Sequence, residues 1–222
     1  MLPVHTCLAG IYKAMLPPQE AMEVIMTNLN IRPELTAISI KHSKSAEMLA
    51  EMAQNTDGFV LDYGCGTGRN MNYLLSQGIV SCGCDIQEQL DAQADKHLAL
   101  MEKGCLILPA ENFGDNQFDF ILCSHVLNVI YDDVVKIAIV SDIARLLKTG
   151  GLAYIEVRTK HDVEAAKTKE AFGNGYVIKK GSAYTYQEAI SKAGLEWLCR
   201  QAHLKVVAHI CNSSKHIICV QK

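Results

Sequence analysis

The sequence predicts a doubly wound α/β fold: a mostly parallel sheet with helices on both faces, preceded by a helical extension. Three observations predict it. Phe59 to Leu61 is a short apolar strand that runs into Asp62-Tyr63-Gly64-Cys65-Gly66-Thr67-Gly68, with glycine at every second position from Gly64, and then into an opening helix whose Met71, Leu74 and Leu75 share one face. From Phe59 onward strand and helix patterns alternate, as they do in a parallel sheet. The second strand, Ile79 to Cys84, ends on an acid, Asp85. An acid is expensive at the tip of a buried strand unless something there requires it.

Length and composition bound the rest. A chain of 222 residues, 49% of them apolar, can bury one substantial core. The net charge is −3, from 21 Lys and Arg against 24 Asp and Glu, and the two signs are interspersed. No basic tail points to avid nonspecific nucleic-acid binding. No apolar run approaches the roughly 18 residues of a membrane span, and the first ten residues lack the pattern of a signal peptide. The chain reads as soluble and cytoplasmic. Its nine cysteines form no C-x-x-C pair, and most fall inside apolar strand patterns. They read as buried, reduced thiols. No cysteine, histidine or H-E-x-x-H pattern suggests a metal.

Taken in order, residues 1–57 form the helical extension. Cys7, Leu8, Ile11, Tyr12 and Met15 fall at helical spacing until Pro17-Pro18, and Met22, Ile25, Met26 and Leu29 mark a second helix. Ser45 is suited to cap a third helix running to Gln54, with Leu49 and Met52 inward. These helices either close the mouth of a cleft or cap the sheet. The sheet domain covers 58–222. After strand two, a helix is expected over Gln87 to Leu100, for which Asp85 could serve as the N-cap. Leu106 to Leu108 is strand three, and Phe118 to Cys123 is strand four. The helix from Asp132-Asp133 turns Val135, Ile139, Ile143, Leu146 and Leu147 inward, and Lys148-Thr149-Gly150-Gly151 ends it with glycine at the C-cap. Leu152 to Val157 is strand five. A further helix is expected over Thr185 to Ala202. Val206 to Ile210 and Ile217 to Val220 form a closing hairpin.

Strand, glycine loop, helix is how an open α/β sheet builds a nucleotide site, because the glycines let backbone approach the ligand closely. Spacing separates two versions. A dinucleotide loop, G-x-G-x-x-G, needs glycine where Arg69 stands, which disfavours an NAD-dependent oxidoreductase. The loop as written, D-x-G-x-G-x-G, resembles motif I of the class I S-adenosylmethionine-dependent methyltransferases. The resemblance extends over about Phe59 to Lys222, with Phe118-Asp119-Phe120-Ile121-Leu122 and Ser124-His125-Val126-Leu127 as further matching stretches. It implies a Rossmann-like, seven-stranded, mostly parallel sheet with an antiparallel C-terminal strand. Thr36-Ala37-Ile38, Ser43-Lys44 and Val126 to Ile130 are similar to a narrower group of bacterial and phage methyltransferases, some of them companions of DNA phosphorothioation systems.

The resemblance also implies a site. Asp62, Gly64, Cys65, Gly66 and Gly68 would hold S-adenosylmethionine at the loop, with S-adenosylhomocysteine as product. Asp85 would accept from both ribose hydroxyls, with Ile86 beside it. Ala110 and Glu111 would meet the adenine; Pro109 stands where relatives carry an acid. Ser124 would complete the pocket. The position after strand four faces the methyl group in the class, which singles out His125 and Asn128 as catalytic candidates. Arg158, Lys160, His161, Tyr184 and Tyr186 could line an acceptor pocket. The Pro-Pro-aromatic and Pro-Cys signatures of DNA-base methylation are absent after strand four, so the acceptor reads as an O or N of a small molecule or a nucleic-acid component. A catalytically silent cofactor-binding subunit of a modification complex is the alternative, and oligomerisation stays open.

Overall fold

The computed structural model describes residues 30–36, 39–164, 169–212 and 214–222. The two leading helices expected before residue 30 lie outside them. Helix α1 (Lys44–Ala53) is capped by Ser43, whose side chain accepts from Ala46 N. Ser45 is not the cap. It sits in the first turn and donates its backbone N–H to Glu156 Oε2 at 2.8 Å. Ala46, Leu49, Ala50 and Ala53 are buried, while Met52 faces solvent, because a helical repeat through Leu49 continues to Ala53 and not to Met52.

The sheet is assembled from β1 (Val60–Tyr63), β2 (Cys82–Cys84), β3 (Leu106–Leu108), β4 (Phe118–Ser124) and β5 (Leu147–Arg158). Helix α2 (Arg69–Ser76) follows β1. The single helix expected after β2 is two, α3 (Gln87–Ala92) and α4 (Ala94–Met101), hinged at Gln93. Helix α5 (Asp133–Leu146) starts as expected, with Asp132 accepting from Val134 N at 2.8 Å. Its end differs. Leu147 is the C-cap and already begins β5, so Lys148 to Gly151 belong to the strand. Val140, Ile143 and Leu146 are its core residues, whereas Val135 and Ile139 line a cleft.

After β5 come the short helix α6 (Lys160–Glu164) and an antiparallel sheet of β6 (Glu170–Phe172), β7 (Gly175–Lys180) and β8 (Ala183–Gln187). The expected helix over Thr185 to Ala202 is therefore corrected. Its first residues are β8, where Tyr184, Thr185 and Tyr186 favour an extended chain, and helix α7 spans only Lys192–Gln201, capped by Ser191. Chain closure follows expectation, with β9 (Lys205–Cys211) and β10 (Lys215–Gln221).

The main sheet has seven strands in the order β3-β2-β1-β4-β5-β10-β9. Pairing is parallel from β3 to β5, and β10 runs antiparallel to both β5 and β9. One face packs Leu61, Ile121 and Ile155 against α5 and α7. The other packs Val60, Leu122 and Tyr154 against α1 and α2, so α1 and the sheet share one core. The small sheet is tied down at two places. Arg32 N donates to Tyr184 O at 2.8 Å, and Glu188 N donates to Asn128 O at 2.8 Å. Cys84, Cys105, Cys123 and Cys219 are buried free thiols, as the apolar strand patterns suggested; Cys65 in the glycine loop and Cys199 on α7 are buried as well, and Cys82 is half-buried. Cys211 is exposed. Among the described residues no helix is long and apolar enough to cross a membrane.

Candidate active site

Strand order reverses between β1 and β4, and the carboxyl ends of strands flanking such a point open a crevice in doubly wound sheets. Here the crevice is a cleft of about 910 Å³. That lies near the upper end of the roughly 300–1,000 Å³ of small-molecule sites.

The glycine loop forms one wall. Gly64, Gly66 and Gly68 have φ of 72°, 55° and 74°. A side chain on Gly64 would overlap Val126 Cγ2, and one on Gly68 would overlap Leu100 Cδ1. Glycine is thus required twice over at both positions, by dihedral and by space. The loop is pinned from below: Gly64 N and Cys65 N both donate to Cys84 O, at 2.8 and 3.0 Å. It is also pinned from the side, where Gly66 N donates to Asp85 Oδ2 at 2.7 Å and Ile86 N to Asp85 Oδ1 at 2.9 Å. Burial raises the Asp85 carboxyl above its ordinary value, and these two N–H groups oppose the rise. Each oxygen keeps a free lone pair for a ligand.

Nine of the residues expected at the site come together here. Gly64, Cys65 and Gly66 face Asp85 and Ile86; Ala110 and Glu111 enter from the turn after β3; Ser124 and His125 enter from the end of β4. Three do not reach the cleft wall. Asp62 is wholly buried beneath the loop, 3.5 Å from Asn70 Nδ2. Gly68 is the N-cap of α2, turned toward Leu100. Asn128 is corrected as a catalytic candidate. It is fully buried, with its amide nitrogen donating to Glu188 O and its Oδ1 accepting from Arg158 N at 2.8 Å. Both ends are thereby committed to locking the strand-four turn to β5 and β8. Of the proposed acceptor-pocket residues, Arg158 lines the cleft, with Nε 3.4 Å from Asp162. Lys160 is exposed and pairs with Glu164 at 3.6 Å, and Tyr186 is buried with its hydroxyl donating to Glu188 at 3.1 Å.

His125 is held unusually. Its φ is 63°, a conformation a non-glycine residue keeps only when its surroundings impose it. Its N–H donates to Glu156 O at 2.8 Å, and its Nε2 lies 3.2 Å from Glu156 Oε1. Burial lowers the imidazole below its ordinary value, with Glu156 opposing. Glu156 is itself wholly buried on β5, and Lys215 Nζ lies 2.9 Å from its Oε1. Burial alone would raise this carboxyl, but His125, Lys215 and the Ser45 N–H together hold it well below the usual carboxylate range. With Nε2 turned toward the Glu156 carboxylate, Nδ1 is left buried and without a hydrogen-bond partner.

Glu156, Gln89 and Lys215 are among the residues of the cleft region that escaped sequence reasoning. Glu156 stands on the apolar strand Leu152 to Val157, and the argument that flagged Asp85 applies to it equally. Gln89 lines the cleft from α3, where a polar residue inside a helix carries no sequence signal.

The residues present fit a nucleoside cofactor with an amino-acid tail. Asp85 offers acceptors for hydroxyls, the glycine loop admits close backbone approach, and the buried Ser124 hydroxyl and Gln89 amide have no protein partner. Comparison with known proteins agrees with this geometry. The uncharacterized protein YmfD of Escherichia coli (strain K12) is 25% identical over 203 residues, covering 84% of this chain and 90% of that protein. The PH0226 protein of Pyrococcus horikoshii superposes with a TM-score of 0.65 at 18% identity, covering 80% of this chain and 88% of that one. The 1,6-didemethyltoxoflavin-N1-methyltransferase of Burkholderia thailandensis, solved with 1,6-didemethyltoxoflavin and S-adenosylhomocysteine, has a TM-score of 0.57 at 17% identity, covering 100% of this chain and 91% of that one. At these identities the two structures share the fold. The model of the methyltransferase domain matches residues 40–209, well over half of the sequence, and the chain therefore belongs to the methyltransferase-domain family.

Proposed function

We propose that this methyltransferase takes its methyl group from S-adenosylmethionine and delivers it to an O or N of a small molecule or nucleic-acid component. The observation that carries the reading is the placement of two unlike walls in one cleft. The glycine loop with Asp85 stands at the ends of β1 and β2, and His125 backed by Glu156 stands at the ends of β4 and β5. The bound cofactor supplies a methyl group on a sulfonium centre, already activated for in-line displacement. The protein's own task is then alignment of an acceptor at about 3–3.5 Å and exclusion of water. Asp85 and the loop orient the nucleoside. His125 either takes a proton from the acceptor or orients it. The Burkholderia enzyme of the same fold is an N1-methyltransferase solved with its small molecule 1,6-didemethyltoxoflavin, an acceptor class the reading includes.

Transfer of radiolabelled methyl into fractionated cell extract tests the reading, with protein, DNA, RNA and small-molecule pools counted separately. Label is expected in one pool. Asp85→Ala is expected to weaken S-adenosylhomocysteine binding ten- to a hundredfold, the equivalent of about 1.5–3 kcal/mol for hydrogen bonds to a charged group, and to abolish the label. Cofactor binding with no label in any pool would instead favour a silent partner subunit.

His125 also makes a pH prediction. A base must be neutral to accept a proton, and burial has moved this imidazole below its ordinary 6.5. The kcat profile is therefore expected to be flat through neutrality and to fall only below pH 6.5. His125→Asn should lower kcat by about 10²–10⁴ and erase that acid limb. An unchanged limb in the variant would assign it to another group.

A further inference from the structure

We propose that Gln89 is a ligand-binding residue of this cleft, its side-chain amide meeting the ribose diol of the cofactor beside Asp85. Gln89 lies on α3 just past the strand tip, its N–H donating to Ile86 O at 3.0 Å. It lines the cleft and is only 2% exposed, yet neither Oε1 nor Nε2 has a hydrogen-bond partner. A primary amide carries two donors and two acceptor lone pairs, and leaving all of them unmet in a buried position costs stability. Glutamine is not needed there to fill space, since leucine has nearly the same bulk. The group makes sense only if something entering the cleft satisfies both of its ends.

Chemistry narrows what that is. An anion would satisfy Nε2 but leave Oε1 unmet and would face the Asp85 carboxylate. A cation would satisfy Oε1 and leave Nε2. Each hydroxyl of a vicinal diol both donates and accepts. One hydroxyl can therefore donate to a remaining lone pair of Asp85 and the other to Gln89 Oε1, while either accepts from Gln89 Nε2. The carboxylate and the amide together thus form a reader for two adjacent hydroxyls. This inference rests on the nucleoside cofactor proposed above.

The test uses the full chain, titrated calorimetrically with S-adenosylhomocysteine and with its 2′-deoxy and 3′-deoxy analogues. Gln89→Leu is expected to bind S-adenosylhomocysteine about tenfold or more weakly, the scale of one or two hydrogen bonds. The deoxy analogue that costs the native protein affinity should cost the variant little further, because the partner is already gone. The ligand-free variant should melt at or above the native temperature, since an unmet buried amide has been removed; a purely structural glutamine would give a lower one. Gln89→Glu keeps the shape but loses the donors, and should bind as poorly as the leucine variant. Native affinity in either variant, or equal losses for every analogue in native and variant proteins, overturns the role of Gln89 alone. Failure of the native protein to bind S-adenosylhomocysteine overturns this proposal and the cofactor reading together.

Discussion

Gly64→Ala is expected to destabilise the protein by about 3 kcal/mol and to close the cofactor end of the cleft. The number has two sources. A φ of 72° costs an alanine roughly 1–2 kcal/mol relative to glycine. The new Cβ would also overlap Val126 Cγ2, and overpacking of this kind costs about 1–3 kcal/mol. For a domain of this size each kcal/mol moves the melting temperature by about 2–4 °C, so a fall of about 6–12 °C is expected. A double-mutant cycle separates the sources. Val126→Ala removes the overlapping methyl, so it should be coupled favourably to Gly64→Ala by about 1–3 kcal/mol, while the dihedral part remains. Additive effects would mean that the loop shifts away from β4 without resistance, and that its packing does not set its position.

Asp62→Asn should make stability less dependent on pH. Asp62 is wholly buried, and burial raises its carboxyl from 3.8 to about 7, with Asn70 and Arg69 only partly opposing. Between those values the folded protein holds a proton that the unfolded chain has released. Stability from this group is therefore complete below pH 3.8 and lost as pH rises through about 7. At 1.36 kcal/mol per unit, the full shift corresponds to about 4 kcal/mol above neutrality. Asparagine has nearly the same shape and no charge to bury. Denaturant unfolding is expected to place the variant above the native protein at pH 8, with the gap shrinking by about 3 kcal/mol at pH 5. Parallel pH curves would show that Asp62 ionises without penalty. The position beneath the loop also means that Asp62→Asn leaves the cleft lining itself unaltered.

Much of this molecule was legible before any coordinate. Alternating apolar runs, the glycine loop and Asp85 were enough for the parallel sheet and for one wall of the cleft, because these are local patterns whose period or spacing reflects the chain's immediate neighbours. Of the cysteines in apolar strand patterns, Cys84, Cys105, Cys123 and Cys219 are buried as read, whereas Cys82 is half-buried and Cys211 exposed. The errors fall where local pattern and distant contact compete. Tyr184-Thr185-Tyr186 could continue into the helix that follows, and only pairing with Ile178 and Lys179 across β7 decides for strand. Asn128 looks like a site residue in sequence because it sits three places beyond His125. Glu188 O, 60 residues away, accepts from its amide nitrogen, and Arg158 N, 30 residues away, donates to its Oδ1.

What the sequence by itself determined is the class of fold and the identity of the glycine loop that lines the cleft. Glycine at positions 64, 66 and 68 and an acid at the tip of β2 carry that information in their own chemistry. Tertiary structure alone decided which polar groups face the cleft and in what state. Glu156 becomes the partner of His125 because β4 and β5 run parallel with Ser124 opposite Glu156. Lys215 reaches the same carboxylate because β10 is antiparallel to β5, with Lys215 opposite Arg158. The protonation of His125, Asp62 and Glu156 follows from burial and from charges brought together across those pairings, and no reading of neighbours along the chain contains either.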